Sequence, residues 1–330
     1  MSTLTSPHQV LELLDGVKTV AICGHVNPDG DALGSALALT ALLRDRGCDV
    51  ACLLAQDRPA PQLYTFLEGY DFLPAYSYDI SPDLFVAVDL PCAERLGDGA
   101  RVLARARRSL CVDHHPGYTG FADDYYGDVS AAATASLVWG VIVASGMSPT
   151  KSMASCCYIG VMTDTGRFSF QNTNERAFRD AAEMVACGVD PTFMSQHVYE
   201  NKSLAVVQLE SRLISRMQFS HNNTVVCSWI NDADFTELGL DRSDTEGLPT
   251  ILRSIAGVQL AALLRVEDDV VRVNLRSRGM TDVSDVARRF GGGGHRAAAG
   301  MTLQMTLEEA QATVLAALVG IEAAGPCHEG

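Results

Sequence analysis

Residues 18–47 read KTVAICGHVNPDGDALGSALALTALLRDRG. A short β-rich run, KTVAICG (18–24), enters a polar loop, HVNPDGD (25–31), and an apolar-periodic helix follows in ALGSALALTALLRDRG (32–47). The same alternation continues downstream. DVACLLA (49–55) reads as a second strand, and LFVAVDL (84–90) as a third, nearly all apolar as a strand covered on both faces should be. SLCVDHH (109–115) is a fourth, ending in polar residues. ASLVWGVIVASG (135–146) and SMASCCYIGVMTD (152–164) read as two helices after the sheet. Strands alternating with helices predict an α/β fold, with a mostly parallel N-terminal sheet flanked by helices.

The second half starts again after a stretch, 174–218, that reads as helical without an obvious strand. TVVCSWI (224–230) is followed by VQLAALLRVE (258–267) and VVRVNLRS (270–277), the last two an antiparallel hairpin across Asp268-Asp269. A helix in VSDVARRF, the run GGGGHRAAAG (291–300), a strand around MTLQM and a terminal helix from Thr306 complete a smaller C-terminal α/β domain. The expected division is a catalytic domain over 1–190, a helical connector over 191–215 and a second domain over 216–330. No internal repeat of solenoid period is present.

Composition narrows the function. The 330 residues suit two domains of roughly 100–200 residues each. No apolar run reaches the ~20 residues of a membrane span. The N-terminus lacks the basic start, apolar core and small-residue cleavage site of a signal peptide, so the expected location is cytoplasmic. Ten cysteines contain no CxxC pair and lie mostly in apolar stretches, which predicts buried free thiols rather than zinc sites or disulfides. With 40 acidic against 25 basic residues the net charge is −15, which argues against coating long nucleic acid. Residues 251–300 depart from this, with eight arginines, no lysine and five acids. Such a set suits bidentate phosphate contacts, although an ordinary charged face would look similar.

Four segments then place Asp and His at element ends, where open parallel sheets bind ligands. They are His25-Val26-Asn27-Pro28-Asp29-Gly30-Asp31, Asp89, Asp113-His114-His115, and Asp164 within Gly-Val-Met-Thr-Asp-Thr-Gly. Taken singly, each has an ordinary reading: a turn, a helix cap, a surface histidine pair, a helix C-terminus. Taken together, five aspartates and three histidines on one edge repel too strongly to ionise without cations. Mixed carboxylate and imidazole donors suit Mn²⁺ better than Mg²⁺ or structural Zn²⁺, and there are enough for two ions. The glycine run Gly291–Gly294 could be a linker. Running from an apolar helix into HRAAAG, which can start another, it reads better as an anion cradle. Arg276 and Ser277 would join Gly292, Gly293, Gly294 and His295 there.

HVNPDGDALGSALAL, VAVDL, VDHH and GVMTDTGRFSF resemble the four sequential motifs of the DHH phosphoesterase superfamily. VVRVNLRSRG, VSDVARRFGG and GGGGHRAAAG resemble its associated C-terminal domain. Size and layout are similar to the NrnA-like subgroup, which degrades very short oligoribonucleotides and dephosphorylates 3′-phosphoadenosine 5′-phosphate (pAp). The resemblance implies an active site in the cleft between the domains and two Mn²⁺ ions, with Mg²⁺ or Co²⁺ able to substitute. His25 and Asp29 would bind one ion; Asp31, His114 and Asp164 the other; Asp89 would bridge them. His115 would face the scissile phosphate, Asp113 would orient its neighbours, and Asn27 would touch the phosphate from its loop. Around SAAATASLV, where related proteins carry more hydroxyls, phosphate contact would fall to backbone amides, Ser130 or Thr134. Arg276, Ser277 and His295 would grip the non-reacting end of the nucleotide. The expected partners are short RNA, dinucleotides or pAp, with no long nucleic acid and no membrane; a homodimer stays open. A cyclic or linear dinucleotide (c-di-AMP, pApA) phosphodiesterase would use the same residues. An inorganic pyrophosphatase or exopolyphosphatase is disfavoured, lacking the glycine-rich domain. A nucleotide sensor would be expected to have lost ligands that are all present here.

Overall fold

A computed structural model describes residues 2–241, 247–267, 270–279 and 281–324, with the backbone alone for His295, Ala323 and Ala324. The chain divides into two units, residues 1–201 and 202–330. The first runs β1 (Ser2–Leu4), α1 (Pro7–Leu14), β2 (Thr19–Cys23), α2 (Gly30–Asp45), β3 (Asp49–Leu54), β4 (Leu73–Pro74), β5 (Leu84–Val88), α3 (Gly99–Leu103), β6 (Arg108–Asp113), β7 (Asp124–Gly127), α4 (Thr134–Ala144), α5 (Lys151–Asp164), α6 (Glu175–Ala186) and α7 (Pro191–Ser195). The second runs α8 (Leu204–Ser215), β8 (Gln218–Ser220), β9 (Val225–Asn231), α9 (Asp232–Leu238), α10 (Leu248–Arg253), β10 (Leu260–Glu267), β11 (Val270–Ser277), α11 (Ser284–Arg289), β12 (Gly293–His295), β13 (Ala298–Leu303) and α12 (Leu307–Ala324).

The first unit is built on a seven-stranded sheet in the order β1-β7-β6-β5-β2-β3-β4, with every pairing parallel. The four expected strands form its centre. β1, β4 and β7 add to them; each has only two to four residues, too short to show a period. The order reverses between β2 and β5, so the crevice at their carboxyl ends is a switch point where such sheets bind ligands.

Helix α2 is buried along nearly all its length, which is why its sequence is apolar on every face. It crosses α5 in close antiparallel contact, and the crossing requires glycine. A Cβ on Gly34 would lie 2.3 Å from the Cys156 carbonyl oxygen, and one on Gly160 would meet Ala135 Cβ at 2.5 Å and Asp31 Oδ1 at 2.7 Å. The start of α2, with Asp31, therefore lies beside the end of α5, with Asp164.

In the second unit a six-stranded sheet has the order β12-β13-β11-β10-β9-β8. β10 and β11 form the expected antiparallel pair, while β9 and β10 run parallel. The turn at 268–269 lies outside the described residues. Successive residues of β9 and β10 face two cores. Val225, Cys227, Leu260 and Ala262 pack in one with α12, and Val226, Ile230, Ala261 and Leu263 in the other with α8 and α10. That double burial explains the unbroken apolar runs.

Two expectations are corrected here. HRAAAG does not start a helix: β12 and β13 form a tight hairpin with His295 opposite Ala298. Gly294 has φ +140°, and a Cβ there would lie 2.5 Å from the Ala298 carbonyl oxygen, so the glycine is demanded by the hairpin's own close approach. Residues 191–215 do not form a separate connector. Met194 packs into the core of the first unit, with Val198 and Tyr199 against it, while Leu209 and Leu213 of α8 are buried in the second. Gln218, placed in the helical stretch, opens β8.

All nine described cysteines are free; six are buried and Cys48, Cys92 and Cys187 are half-buried. Burial pushes the Cys52 and Cys156 thiols up to about 12, as expected of inert core residues. Among the described residues no helix is long and apolar enough to cross a membrane.

Candidate metal centre

His25 follows β2 at the switch point and is 4% exposed. Its Nδ1 donates to the Val26 carbonyl at 2.9 Å. A carbonyl only accepts, so the tautomer is set and Nε2 is the nitrogen aimed at carboxylates, 3.5 Å from Asp89 Oδ2 and 3.9 Å from Asp29 Oδ2. Asp29 caps α2, with Oδ1 accepting from the Asp31 and Ala32 amides at 3.0 and 3.1 Å, which leaves Oδ2 toward His25.

His114 repeats the device. Nδ1 donates to the Ala131 carbonyl at 3.2 Å, and Nε2 lies 3.6 Å from Asp89 Oδ1, 3.6 Å from Asp164 Oδ2 and 3.9 Å from Asp31 Oδ2. A histidine that gives one nitrogen to a carbonyl and turns the other into a carboxylate cluster is arranged as a metal ligand commonly is. Asp89 has φ +66°, a left-handed conformation that costs a non-glycine residue energy, while its amide still donates to the Val112 carbonyl of β6 at 3.0 Å.

Three donor sets each fall within 4.8 Å: His25, Asp29 and Asp89; Asp31, His114 and Asp164; and Asp89, His114 and His115. The six residues expected as ligands are thus brought together, in two groups that meet at Asp89. The electrostatics are those of a cluster short of positive charge. Burial pushes Asp31 well above the ordinary carboxylate range, and Asp89 and Asp164 push it further. Asp164 rises likewise, through burial and then Asp89 and Asp29. Burial also pushes Asp89 up, but the imidazoles of His25, His115 and His114 outweigh it and hold that carboxyl well below the usual range. His25 and His114 are raised: burial opposes their charge, and the nearby carboxylates overcome it.

His115 is placed differently. Its Nδ1 lies 2.7 Å from Oδ1 of the fully buried Asp113 and 3.6 Å from Asp89 Oδ1. Asn27 stands outside the donor sets, exposed at φ +53°, with its backbone amide donating to Gln56 Oε1 at 2.6 Å.

The start of α4 holds what the sequence did not disclose. Its cap residue, Ala133, has no side chain to offer. Asp31 fills that place from α2, accepting from the Thr134 amide at 2.7 Å and the Ala135 amide at 2.8 Å. Thr134 Oγ1 donates to Asp89 Oδ1 at 2.9 Å, and Ser130 Oγ to Asp128 at 2.6 Å. The amides and hydroxyls expected to meet phosphate there are thus engaged with aspartates. Asn172, unremarked in the sequence, donates from Nδ2 to the Ala132 carbonyl at 2.9 Å and to Asp164 Oδ2 at 3.2 Å. An apolar helix with no polar cap of its own was the available signal that an acid elsewhere must supply one.

In the second unit, Arg276 is half-buried between Ala261 and Ala298 on the flanking strands. Its guanidinium donates to the Leu275 carbonyl at 3.0 Å and pairs with no carboxylate among the described residues. Burial and then Arg253 push it down to about 10. Ser277 is buried, and its hydroxyl donates to the Arg296 carbonyl at 3.1 Å, so it braces the hairpin turn instead of offering a surface contact. Around Gly293 a Cβ would meet open space, whereas at Gly292 it would lie 2.2 Å from the Gly300 oxygen. The side chain of His295 lies outside the described residues.

Residues 19–161 match the DHH family N-terminal domain and residues 222–320 the DHHA1 domain. The chain is 30% identical over 316 residues to the bifunctional oligoribonuclease and PAP phosphatase NrnA of Thermus thermophilus, covering 94% of this chain and 91% of that protein. It is 28% identical over 288 residues to the protein of the same name from Bacillus subtilis, covering 86% and 89%. A crystal structure of an exopolyphosphatase-related protein from Bacteroides fragilis superposes with a TM-score of 0.88 at 25% identity, over 95% of each chain.

Proposed function

The chain belongs to the DHH family of phosphoesterases and hydrolyses phosphoester bonds, and from that premise we propose that it is a Mn²⁺-dependent enzyme that degrades very short oligoribonucleotides and converts pAp to AMP. The observation that carries the reading is the pair of donor sets meeting at Asp89, with Oδ2 toward His25 and Oδ1 toward His114. The NrnA-named relatives, similar over both units, support the substrate class.

The residues fit a pair of divalent cations. Nitrogen and carboxylate oxygen are mixed in each set, both imidazoles have a fixed tautomer, and Asp31 and Asp164, raised by burial and by neighbouring carboxylates, lack the positive charge that cations would bring. His25 and Asp29 would hold one ion, Asp31, His114 and Asp164 the other, and Asp89 both. Bound cations would supply charge that neutralises the phosphoryl group and lowers the pKa of water. Asp113 fixes the ring of His115, which then moves a proton to or from the phosphate or the leaving oxygen. Asn27 reaches the phosphate from its exposed loop. In the second unit Arg276, with the backbone of Gly292, Gly293 and Gly294 and with His295, binds the phosphate at the non-reacting end. Its lack of a carboxylate partner among the described residues supports that role.

An assay in Mn²⁺ with pAp, RNAs of two to five nucleotides, cyclic di-AMP, pApA and pyrophosphate tests the reading. Turnover concentrated on pAp and the short RNAs is the expected result. Preference for cyclic di-AMP or pApA would move the assignment to a dinucleotide phosphodiesterase, and preference for pyrophosphate would overturn it.

A further inference from the structure

The turn 131–135 bonds directly to three motifs of the centre and reaches the fourth, Asp164, through Asn172. The Ala131 carbonyl accepts from His114 Nδ1, and the Ala132 carbonyl accepts from Asn172, which also holds Asp164. The Thr134 amide and the Ala135 amide hold the two oxygens of Asp31, and the Thr134 hydroxyl holds Asp89. Ala131, Ala132 and Ala133 are all buried, so in this turn the backbone makes the contacts and Thr134 alone contributes a side chain.

We propose that Thr134 is a positioning residue that locks the two donor sets into one centre by fixing Asp89 against Asp31. The inference rests on the two-cation reading above. Thr134 Oγ1 donates to Asp89 Oδ1 at 2.9 Å, which holds the plane of the carboxylate with one oxygen toward His114 and the other toward His25. The same residue's amide donates to Asp31 Oδ2 at 2.7 Å, and Ser35 Oγ and the Ala135 amide bind Oδ1 at 3.2 and 2.8 Å. One aspartate from each set is therefore referred to a single residue, which sets their offset. The Thr134 hydroxyl, at the first residue of α4, is fully buried and reaches an acid 45 residues away in sequence.

Thr134→Val keeps shape and amide while removing the hydroxyl, and Thr134→Ser keeps the hydroxyl. Calorimetric titration of the full chain with Mn²⁺ should give two ions for the native protein and for Thr134→Ser. In Thr134→Val the second ion should bind about 10–100-fold more weakly, and the electron paramagnetic resonance signal of a coupled manganese pair should give way to that of isolated ions. If Thr134→Val binds both ions with native affinity and a coupled signal, the proposal fails while the two-cation reading stands. If Thr134→Ser is as impaired as Thr134→Val, the residue serves packing and the proposal also fails. A native chain that takes up one ion would overturn the two-cation reading itself.

Discussion

His115 Nδ1 and Asp113 Oδ1 lie 2.7 Å apart, two residues from each other at the end of β6, and the aspartate is wholly buried. The pair ties a ring that lies 3.6 Å from Asp89 Oδ1 to a carboxyl group fixed in the sheet. The intervening His114 turns its Nε2 to Asp89, Asp164 and Asp31, while His115 meets Asp89 with the same nitrogen that faces Asp113. Removing the ring should therefore affect chemistry and not metal content. His115→Ala should lower kcat with two Mn²⁺ still bound, and Asp113→Asn should lower it by roughly 10–150-fold, the worth of a hydrogen bond to a charged group at about 1.5–3 kcal/mol. Kinetics with elemental analysis decide this. Loss of one manganese in His115→Ala would exchange the roles assigned to His114 and His115.

Asp89 stands in two donor sets, one with His25 and Asp29 and one with His114 and His115, whereas Asp164 stands in one; on the proposed reading Asp89 would meet both ions. Asp89→Asn should abolish turnover, whereas Asp164→Asn should retain a measurable fraction at high Mn²⁺. Initial rates across a manganese titration check this, and full activity of Asp89→Asn would contradict the shared role.

The metal-free protein should lose stability as pH rises. Asp31, Asp164, His25 and His114 bind protons more tightly in the folded chain, so their contribution is complete below the unfolded values, about 3.9 and 6.5, and fades as pH passes the raised folded ones. Asp89 has the opposite sign and matters only in acid, where its contribution is lost as pH falls through a depressed value. Above about pH 6.5 the raised groups therefore govern. Thermal unfolding in chelator should show Tm falling as pH rises from there, and the gain on adding Mn²⁺ should grow with pH. A chelated Tm that is flat or rising there would show that these groups do not control stability.

Arg276→Ala should weaken pAp and dinucleotide turnover by roughly 10–150-fold, from about 1.5–3 kcal/mol for a charge-assisted contact. A bis-aryl phosphate, with no second phosphate to bind, should be cut almost unchanged. Equal losses on both substrates would assign Arg276 to folding.

Two glycines give a steric contrast. Gly34→Ala drives a methyl into the Cys156 carbonyl and should cost roughly 1–3 kcal/mol, with metal affinity falling as α2 and α5 separate. Gly293→Ala meets open space and should leave Tm and Mn²⁺ binding near native. Thermal melts and titrations of the two variants side by side would expose an error in either assignment.

Much of this was legible because it was written in runs of side chains. VAIC, LFVAV and SLCV are apolar enough to read as buried strands, and the acids and histidines that end them are the ones the fold gathers. β1, β4 and β7 were not legible, because a two- to four-residue strand carries no period. GGGGHRAAAG was misread because glycine followed by alanine suits a helix start as well as a hairpin, and only the closeness of β12 to β13 decides between them. The contacts of Ala131, Ala132 and Ala135 were beyond reach for another reason: carbonyls and amides are common to every residue, so a turn that works through its backbone leaves no residue type to recognise.

That turn also bears on the order in which the chain acquires its parts. Its bonds to Asp31 close loops of 103 and 104 residues, and its bond to Asp89 one of 45. Closures so distant along the chain form late, after helices and neighbouring strands have already paired. On the two-cation reading, tight metal capture would then belong to the last step of maturation of the first unit, and a nascent or half-folded chain with much of its secondary structure in place would still be metal-blind.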